Sequence, residues 1–573
     1  MRQTIAAFGL CAATLCAAQD SSTGAIRGLV RDAAGKPAAA ASVSIRDSAT
    51  NATRLALTDS DGRFAADLLP PGDYIVTVTY LKFVPRELSV HVDAAQPTEV
   101  SIDLVLRTEA VKVTAETPMV ETQSSSVATV IPEQAIQDLP LNGRRFSDLA
   151  LLGAGVTQDP RSLTSSSNGD LAYGGLRGYH TQFLVDGSDN NNAFFAQMRG
   201  RYRAPYQFSN EVVQEFTVST NSYGAELAGA GGAVVNVVTK SGSNYFHGSA
   251  FYYMRDSTFD ARPPFVSFKP SDRQQQFGFT VGGPIRRNKA FFFAGYDQHV
   301  FRVPQVVEFL NGSTQLTPVP TNGRIPGDYE ASDKALVLAT VARLETQAGE
   351  FRSALLGDAG FAKVDIQLTP KQSLAIRLST SRYYGENNVF FDPASPVTNF
   401  TVSNNGEENV ETESLNASLT SALTPRVTSH LRAQISRDLQ ESSANSALAG
   451  ERIDLVLNGL QRSDILPRHT NEKRFHLAET VSVTGKRSNW KFGGELGLVW
   501  INNFFPSFFG GQYIFDAIKV NPFTFVPQVG GLELTPLRAY AHEVPKFVEV
   551  RLDQIYAGRK GCLQRRASPL QGG

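Results

Sequence analysis

Three hydrophobic patterns follow one another along the chain. From residue 26 to residue 106, short alternating runs (GAIRGLVRD, ASVSIRD, ATRLALT, RFAADL, YIVTVTYL, LSVHV, EVSIDLVL) are separated by the turn signals AAGKP, SATN, DSDG and LPPGD. A period of two places alternate side chains on one face of a strand, so this stretch predicts a sandwich of about seven antiparallel strands. From residue 118 to residue 242 the pattern is mixed. A helix is predicted over 131–139, a turn at Asn142–Gly143, a strand over 181–185 and a turn at Asp186–Gly187, before the apolar runs of EVVQEFTVSTNSYGAEL and GGAVVNVVTKSG. From residue 245 onward, long alternations recur, among them NYFHGSAFYYMRD, QQFGFTVGGPI, KAFFFAGYDQHV, QSLAIRLSTSRYYG and NWKFGGELGLVWINNFF. One apolar face and aromatic ends mark strands that cross a membrane as a barrel, and the length available predicts roughly ten to fourteen of them. Polar stretches such as PVTNFTVSNNGEENVETES are expected to be outside loops.

One strand-like segment has no hairpin partner. TEAVKVTAE, Thr108 to Glu116, alternates between two complete units. An unpaired extended segment can add to the sheet edge of a partner through backbone hydrogen bonds, with its alternating side chains setting the register. The alternative is that it completes the sandwich or begins the next unit.

Composition and candidate chemistry narrow the picture. The chain has 573 residues, 47 glycines, 36 phenylalanines and 17 tyrosines, which favours strands and turns in several domains. A net charge of -1 leaves no basic surplus for nucleic acid. Residues 1–18 read as a cleaved export signal, with Arg2, an apolar core over 5–15 and a cleavage site after Ala18. A lipoprotein reading is disfavoured because Leu10 and Leu15 precede the two cysteines. Cleavage leaves Cys562 alone, which excludes an internal disulfide and a cysteine-based zinc site. No apolar run is long enough for a membrane-spanning helix, which leaves a soluble exported protein or a barrel. DSDG lacks the flanking ligands of a calcium loop and reads as a turn. His469-Thr-Asn-Glu472, with His476 and His542 further on, has zinc-like spacing, but its setting, PRHTNEKRF, predicts a solvated loop.

The motifs also carry family resemblances. GAIRGLVRDAAGKPAAAASVSIRD and TDSDGRFAADLLPPGDYIVTVTY resemble the carboxypeptidase regulatory-like domain over residues 22–106. That resemblance implies a transthyretin-like, carbohydrate-binding-like sandwich without catalytic function. The chain departs from the family at Leu81-Lys82-Phe83, where a glycine usually precedes the aromatic. Residues 107–117 resemble a TonB box, with Glu109, Val111, Val113, Thr114 and Ala115 as the implied TonB contacts. Residues 118–242 resemble the plug of TonB-dependent receptors of the Oar-like subgroup. The match is carried by LPLNGRRFSDL, LRGYHTQFLVDG and QEFTVSTNSYGAELAGAGGAVVNVVTKSGSNYFHGSAFYYMRDSTFDAR, and its motif residues are Asn142, Gly143, Arg144, Arg177, Gly178, Asp186 and Gly187. Ala154 departs from the proline usual in that family. Arg144 and Arg145 are expected in plug-to-barrel ion pairs. Asn190, Asn191 and Asn192 are candidates to face a ligand, with a turn role as the alternative. Residues 243–558 resemble the Oar-like barrel.

The resemblance implies a mainly β protein: a sandwich, an α/β plug and a C-terminally incomplete antiparallel transmembrane barrel. It implies an outer-membrane, TonB-dependent receptor, with sandwich and TonB box in the periplasm. Its implied partners are TonB, outer-membrane lipid and an extracellular glycan, peptide or chelate; no catalytic residue, metal or cofactor is expected. The alternatives are a glycan-binding surface or adhesion protein and a non-functional transporter fragment. Such barrels have about 22 strands, more than residues 245–573 can hold, and RKGCLQRRASPLQGG over 559–573 breaks the alternation with a basic run. A frameshift or premature stop near Arg559 is therefore expected. Translating the other frames of the gene beyond Gly558 should reveal further alternating strands, and frames without them would refute it.

Overall fold

The computed structural model describes residues 22–549 apart from 107–126, 140–143, 145, 159–170, 200–207, 222, 225, 226, 228, 263–268, 270, 311–315, 323–325, 389–396, 486–488, 506, 509, 521–523 and 530. The export signal over 1–18, the strand-like segment over 107–117, Asn142, Gly143, Arg145 and the tail over 559–573 lie outside the described residues.

The first unit has the seven strands that the alternation predicts: β1 (Gly24–Arg31), β2 (Ser42–Asp47), β3 (Thr53–Leu57), β4 (Arg63–Leu69), β5 (Gly72–Thr79), β6 (Arg86–Val92) and β7 (Pro97–Asp103). They form two sheets, ordered β4-β1-β7 and β3-β2-β5-β6. Their inner faces bury Ile26, Val43, Val76, Val78, Val90 and Val100. One pair departs from the antiparallel expectation, because β1 and β7 run parallel. They are the first and last strands of the unit, so the whole intervening chain serves as the crossover that a parallel pair needs. DSDG is a turn: Gly62 has φ +73°, and the Asp59 carboxylate accepts from the backbone N–H of Asp61 at 2.9 Å and of Arg63 at 2.8 Å.

The central unit is built on a five-stranded sheet. Its strands are β8 (Val127–Pro132), β9 (Gln182–Val185), β10 (Ser188–Asp189), β11 (Val213–Asn221) and β12 (Val234–Thr239), in the order β10-β9-β12-β11-β8. The helix predicted over 131–139 is shorter, α1 (Glu133–Asp138). Ile131 and Pro132 instead close β8, opposite Phe216 and Glu215, because cross-strand pairing outweighs local helix preference there.

The third unit is a wall of nine long strands: β13 (His247–Asp256), β14 (Arg273–Arg286), β15 (Ala290–Val307), β16 (Gly349–Thr369), β17 (Gln372–Glu386), β18 (Gly406–Thr424), β19 (Val427–Ala444), β20 (Arg468–Thr484) and β21 (Asn489–Phe504). Each hydrogen-bonds to its neighbours in chain order, antiparallel throughout. Nine among the described residues is fewer than the ten to fourteen expected, for two reasons. The strands run longer than the count assumed, up to 21 residues in β16, and the outer loops fold on themselves.

The wall is inverted relative to a soluble sheet. On β19 the buried inward positions are His430, Gln434, Ser436, Asp438 and Gln440, whereas outward Ile435 is 61% exposed. Ile376, Leu378, Leu415, Leu477, Leu496 and Leu498 continue the exposed apolar face, and Trp490 stacks on Phe492 at 6.2 Å. A polar interior, an apolar exterior and an aromatic girdle are the arrangement of a strand wall in lipid. Much of the expected outside loop PVTNFTVSNNGEENVETES is strand β18. From Gly406 to Asn416 every second residue is buried. Both faces are polar at that height, so the sequence carries no apolar alternation to reveal the strand.

The wall's two ends differ. Short turns link β14 to β15, β16 to β17, β18 to β19 and β20 to β21, and long connections fill the opposite end. Short turns face the periplasm in such barrels, and the sandwich lies at that end. Asn51 Nδ2 donates to Asn288 Oδ1 at 2.9 Å, and Thr484 Oγ1 donates to Asp67 at 2.9 Å. At the other end, α2 (Lys334–Glu345), α3 (Pro536–Ala541) and short strands bury a separate core that includes Phe309, Val337, Val341, Leu457, Phe515 and Tyr540. Arg538, 1% exposed, ties this cap together through Asp333 at 2.6 Å and Glu330 at 3.3 Å.

Removing one partner of a buried ion pair strands the other charge. Arg538→Ala is expected to loosen the cap by about 3 kcal/mol, read as protease cleavage of residues 505–549 at lower denaturant. Cleavage unchanged from the parent would refute the assignment.

Candidate functional site

The candidate site is the polar seam where one loop of the central unit meets the inner wall. The loop begins at the Asp186–Gly187 turn, where φ is +47° and +72°, the geometry that favours an Asp-Gly pair. The turn directs Asp186 at β16 and β17, where Lys363 and Arg377 stand directly opposite each other. Two buried cations in cross-strand register repel, and Asp186 is the anion between them. It accepts from Arg377 Nη1 at 2.7 Å, Thr239 N at 2.8 Å and Thr239 Oγ1 at 2.7 Å. Lys363 Nζ donates to the Thr239 carbonyl at 3.1 Å. Burial opposes ionisation of Asp186, but Lys363, Arg377 and the Thr239 bonds outweigh it and hold the carboxyl below its ordinary range. Gly187 is favoured by its positive φ, and a Cβ there would also press on the tips of Arg432 and Ser22.

The loop then rises along β19 and β20. Arg474 pairs with Asp189 and, at 3.2 Å, with Glu472. Gln434 Nε2 donates to the Asp189 carbonyl at 3.0 Å. Arg199 bonds Ser436, and Asn192 Nδ2 donates to Asp438 at 2.5 Å. Glu472 accepts from the backbone N–H of Ala193 at 2.7 Å and of Phe194 at 3.3 Å.

The three asparagines expected to face a ligand are taken up by this construction. Asn190 is buried, with its N–H on the Phe183 carbonyl at 2.8 Å and its carbonyl accepting from Arg199 N at 2.9 Å. The Asn191 side chain accepts from Phe183 N at 2.7 Å and donates to the Thr181 carbonyl at 2.9 Å. Asn192 is 0% exposed, and its Oδ1 accepts from Phe194 N and Phe195 N at 3.0 and 2.9 Å. The short amide side chains of Asn191 and Asn192 are thus committed to the loop and the wall. The exposed side chain at the loop tip is Phe194, 43% exposed and edge-on to Phe195 at 4.8 Å. Glu472, which fixes that tip, is near the outer start of β20. The run AFFAQM in the sequence was the available signal for it.

The remaining motif residues divide. Arg144 pairs with Glu211 of its own unit at 2.8 Å and reaches β13 by lying over the rings of Tyr253 at 4.3 Å and Phe251 at 5.7 Å. The contact between units is therefore cation–π rather than the expected ion pair, supplemented by Ser249 Oγ donating to Glu211 at 3.2 Å. Arg177 lies over Tyr179 at 5.9 Å, and Gly178 is buried in the short helix Gly178–His180.

PRHTNEKRF, expected as a solvated loop, opens strand β20. His469 bonds Glu441 at 3.0 Å, while Glu472 faces the seam. Residues three apart on a strand take opposite faces, so the two cannot share a zinc ion. Among the described residues no group of three or more His, Cys, Asp or Glu is placed to hold a metal ion. Lys363, Arg377, Asp438 and Arg474 were not singled out in the sequence, and Glu472 only within the zinc-like spacing. Their signal is a polar or charged residue in the inward phase of an outward-apolar strand, as Arg377 between Ile376 and Leu378.

Comparison with known proteins follows this division of the chain. The outer membrane beta barrel domain matches residues 238–524, and the carboxypeptidase regulatory-like domain matches residues 25–105. The chain is 28% identical over 318 residues to the TonB-dependent transporter Oar of Myxococcus xanthus, which covers 52% of this chain and 28% of that protein. The match thus spans well under half the length of that relative. Among solved structures, the siderophore receptor PirA from Acinetobacter baumannii is similar at 15% identity and a TM-score of 0.43, covering 66% of this chain and 48% of the other. The outer membrane transporter YddB from Escherichia coli is similar at 10% identity and a TM-score of 0.45, covering 68% and 50%.

Asp186→Asn removes the anion between Lys363 and Arg377. It is expected to destabilise the seating of the central unit by about 3 kcal/mol, read as faster amide exchange in β9. Because the folded-state pKa of Asp186 is depressed, its contribution is complete above the ordinary carboxylate value of about 4 and is lost as pH falls through the depressed value. The difference between parent and Asp186→Asn should therefore stay constant from pH 8 to pH 5. A difference that shrinks over that range would contradict the assignment.

Proposed function

The chain belongs to the outer-membrane β-barrel domain family and resides in the outer membrane, and from that premise we propose that it is a TonB-dependent receptor that takes up an extracellular ligand by movement of its plug. The central unit is the plug. One observation carries the reading: a folded sheet occupies the polar side of the strand wall and is held there largely by side-chain hydrogen bonds and ion pairs. Such contacts close a pathway, yet each is worth only about 0.5–1.5 kcal/mol net because water can replace it. A plug held in this way can be displaced by modest force. Among the described residues, the buried apolar core shared with the wall is limited to Phe293, Ala359 and Phe361 on the wall side.

Force would enter through residues 107–117. In this reading Glu109, Val111, Val113, Thr114 and Ala115 add as a strand to TonB, and the segment joins the end of the sandwich to β8, the edge strand of the plug sheet. The ligand class is a glycan, a peptide or a chelate, met first at the outer face of the plug, where Phe194 is exposed. The reaction is transport, with no covalent step for the protein to catalyse.

A cysteine at Val113 should form a disulfide with a cysteine-bearing TonB in intact cells. Val111→Pro removes a backbone donor from the added strand and should abolish the cross-link. Heat-modifiable mobility of the variants in outer-membrane fractions should match the parent. No cross-link to the Val113 cysteine protein, or one indifferent to Val111→Pro, would overturn the TonB reading.

A further inference from the structure

We propose that the N-terminal sandwich is a detachable latch on the plug, which must release β11 before the plug can move. The latch rests on the reading of the central unit as a plug, and adds a second closure on the periplasmic side.

The grip falls on two consecutive residues of one plug strand. Gln214 Nε2 donates to the Pro71 carbonyl at 2.9 Å. The Glu215 carboxylate accepts from Ala94 N at 2.9 and 3.1 Å. Consecutive side chains on a regular strand point to opposite faces. The register of β11 against β12 shifts between Val213 and Glu215, so Gln214 is the extra residue of a β-bulge. A bulge re-aims side chains in this way, and here it lets both neighbours reach two different loops of the sandwich.

The rest of the contact is built to separate. The buried core of the sandwich contains no plug or wall residue, and the buried core shared by plug and wall contains no sandwich residue. What joins them is a set of polar contacts: the two on β11, Asn51 with Asn288, Asp67 with Thr484, and Asn244 N on the Ala49 carbonyl at 3.0 Å. These surround a cavity of about 240 Å³ with a mixed lining, including Arg54 and Leu69 from the sandwich, Thr239 from the plug and Phe291, Lys363 and Arg377 from the wall. A permanent domain interface would share a large apolar core; this one shares none, and is bridged by single polar bonds around a cavity.

The latch also sits where a pull would arrive. β8 is the first described strand after the linker and pairs with β11, from Val127 opposite Asn221 to Pro132 opposite Glu215. The linker therefore loads one end of the β8–β11 pair while the sandwich holds the other.

Burial raises the Glu215 carboxyl to about 7, reinforced by Asp93 and opposed by the Ala94 N–H and His91. Its cross-strand neighbours, Pro132 and Val238, are uncharged. A carboxyl whose pKa is raised by docking contributes fully below the ordinary value of about 4.3 and loses its contribution as pH rises through about 7. The latch should hold more firmly at pH 6 than at pH 8.

Hydrogen exchange of the full chain in detergent tests this without transport, so failed uptake and a failed latch are distinguishable. Asn51→Ala with Asp67→Ala weakens the sandwich's hold on the wall without touching the plug. It should speed exchange of the β11 amides about tenfold while β18 exchanges as in the parent. Glu215→Gln should abolish the difference between pH 6 and pH 8 in β11 after correction for intrinsic rates. Bridging Asn51→Cys to Asn288→Cys with a short bismaleimide should slow β11 exchange below that of the unbridged protein. If β11 exchange ignores both the sandwich-side variant and the bridge, the sandwich is a passive appendage and the latch is wrong.

Discussion

The inward row of charged and amide side chains on the strand wall is the constraint on which the molecule turns. A wall with an apolar exterior in lipid leaves its polar groups on the inside, where burying them without partners is costly. Lys363 and Arg377 face each other there, and Glu472, Arg474 and Asp438 crowd the neighbouring strands. The central unit supplies what these groups lack. It brings Asp186 between two cations, Asp189 to Arg474, and two backbone N–H groups to Glu472. Wall and central unit thus satisfy each other, and the loop from Asp186 to Arg199 is the piece that does it.

This bonding is strong in sum and weak in its parts, which suits a closure that must open. A core of Phe, Leu and Val across the whole contact would have to be exposed to water all at once. A row of hydrogen bonds and ion pairs can exchange for water one at a time. The sandwich repeats the principle at the periplasmic end. Its own core is complete, so it can leave its neighbours without breaking a shared core, and the bonds that join it to them are single polar ones around a cavity.

The loop tip shows how one residue type can be read two ways. Three consecutive asparagines look equally suited to a ligand or to a turn. In the fold Asn190 is buried, the amides of Asn191 and Asn192 are spent on the backbone of their own loop or on the wall, and the large side chain left exposed is the neighbouring Phe194. Arg144 makes a similar point: its charge suggested an ion pair with the wall, but the carboxylate it meets belongs to its own unit, and the wall offers it aromatic rings.

What the sequence determined by itself was whatever depends on neighbours along the chain. The seven sandwich strands, the DSDG and Asp186–Gly187 turns and the outward-apolar strands were legible because period-two burial and left-handed turn geometry are local. Strand β18 above the lipid was not legible, since both its faces are polar there. Nor was the true extent of α1, whose first residues were claimed by pairing with β11. The seam was beyond the sequence for a different reason. Asp186 and Arg377 are 191 positions apart, and Asp189 and Arg474 are 285. Only the curvature of the wall around the central unit brings them within bonding distance, and a side chain's partner is set by that distance rather than by its place in the chain.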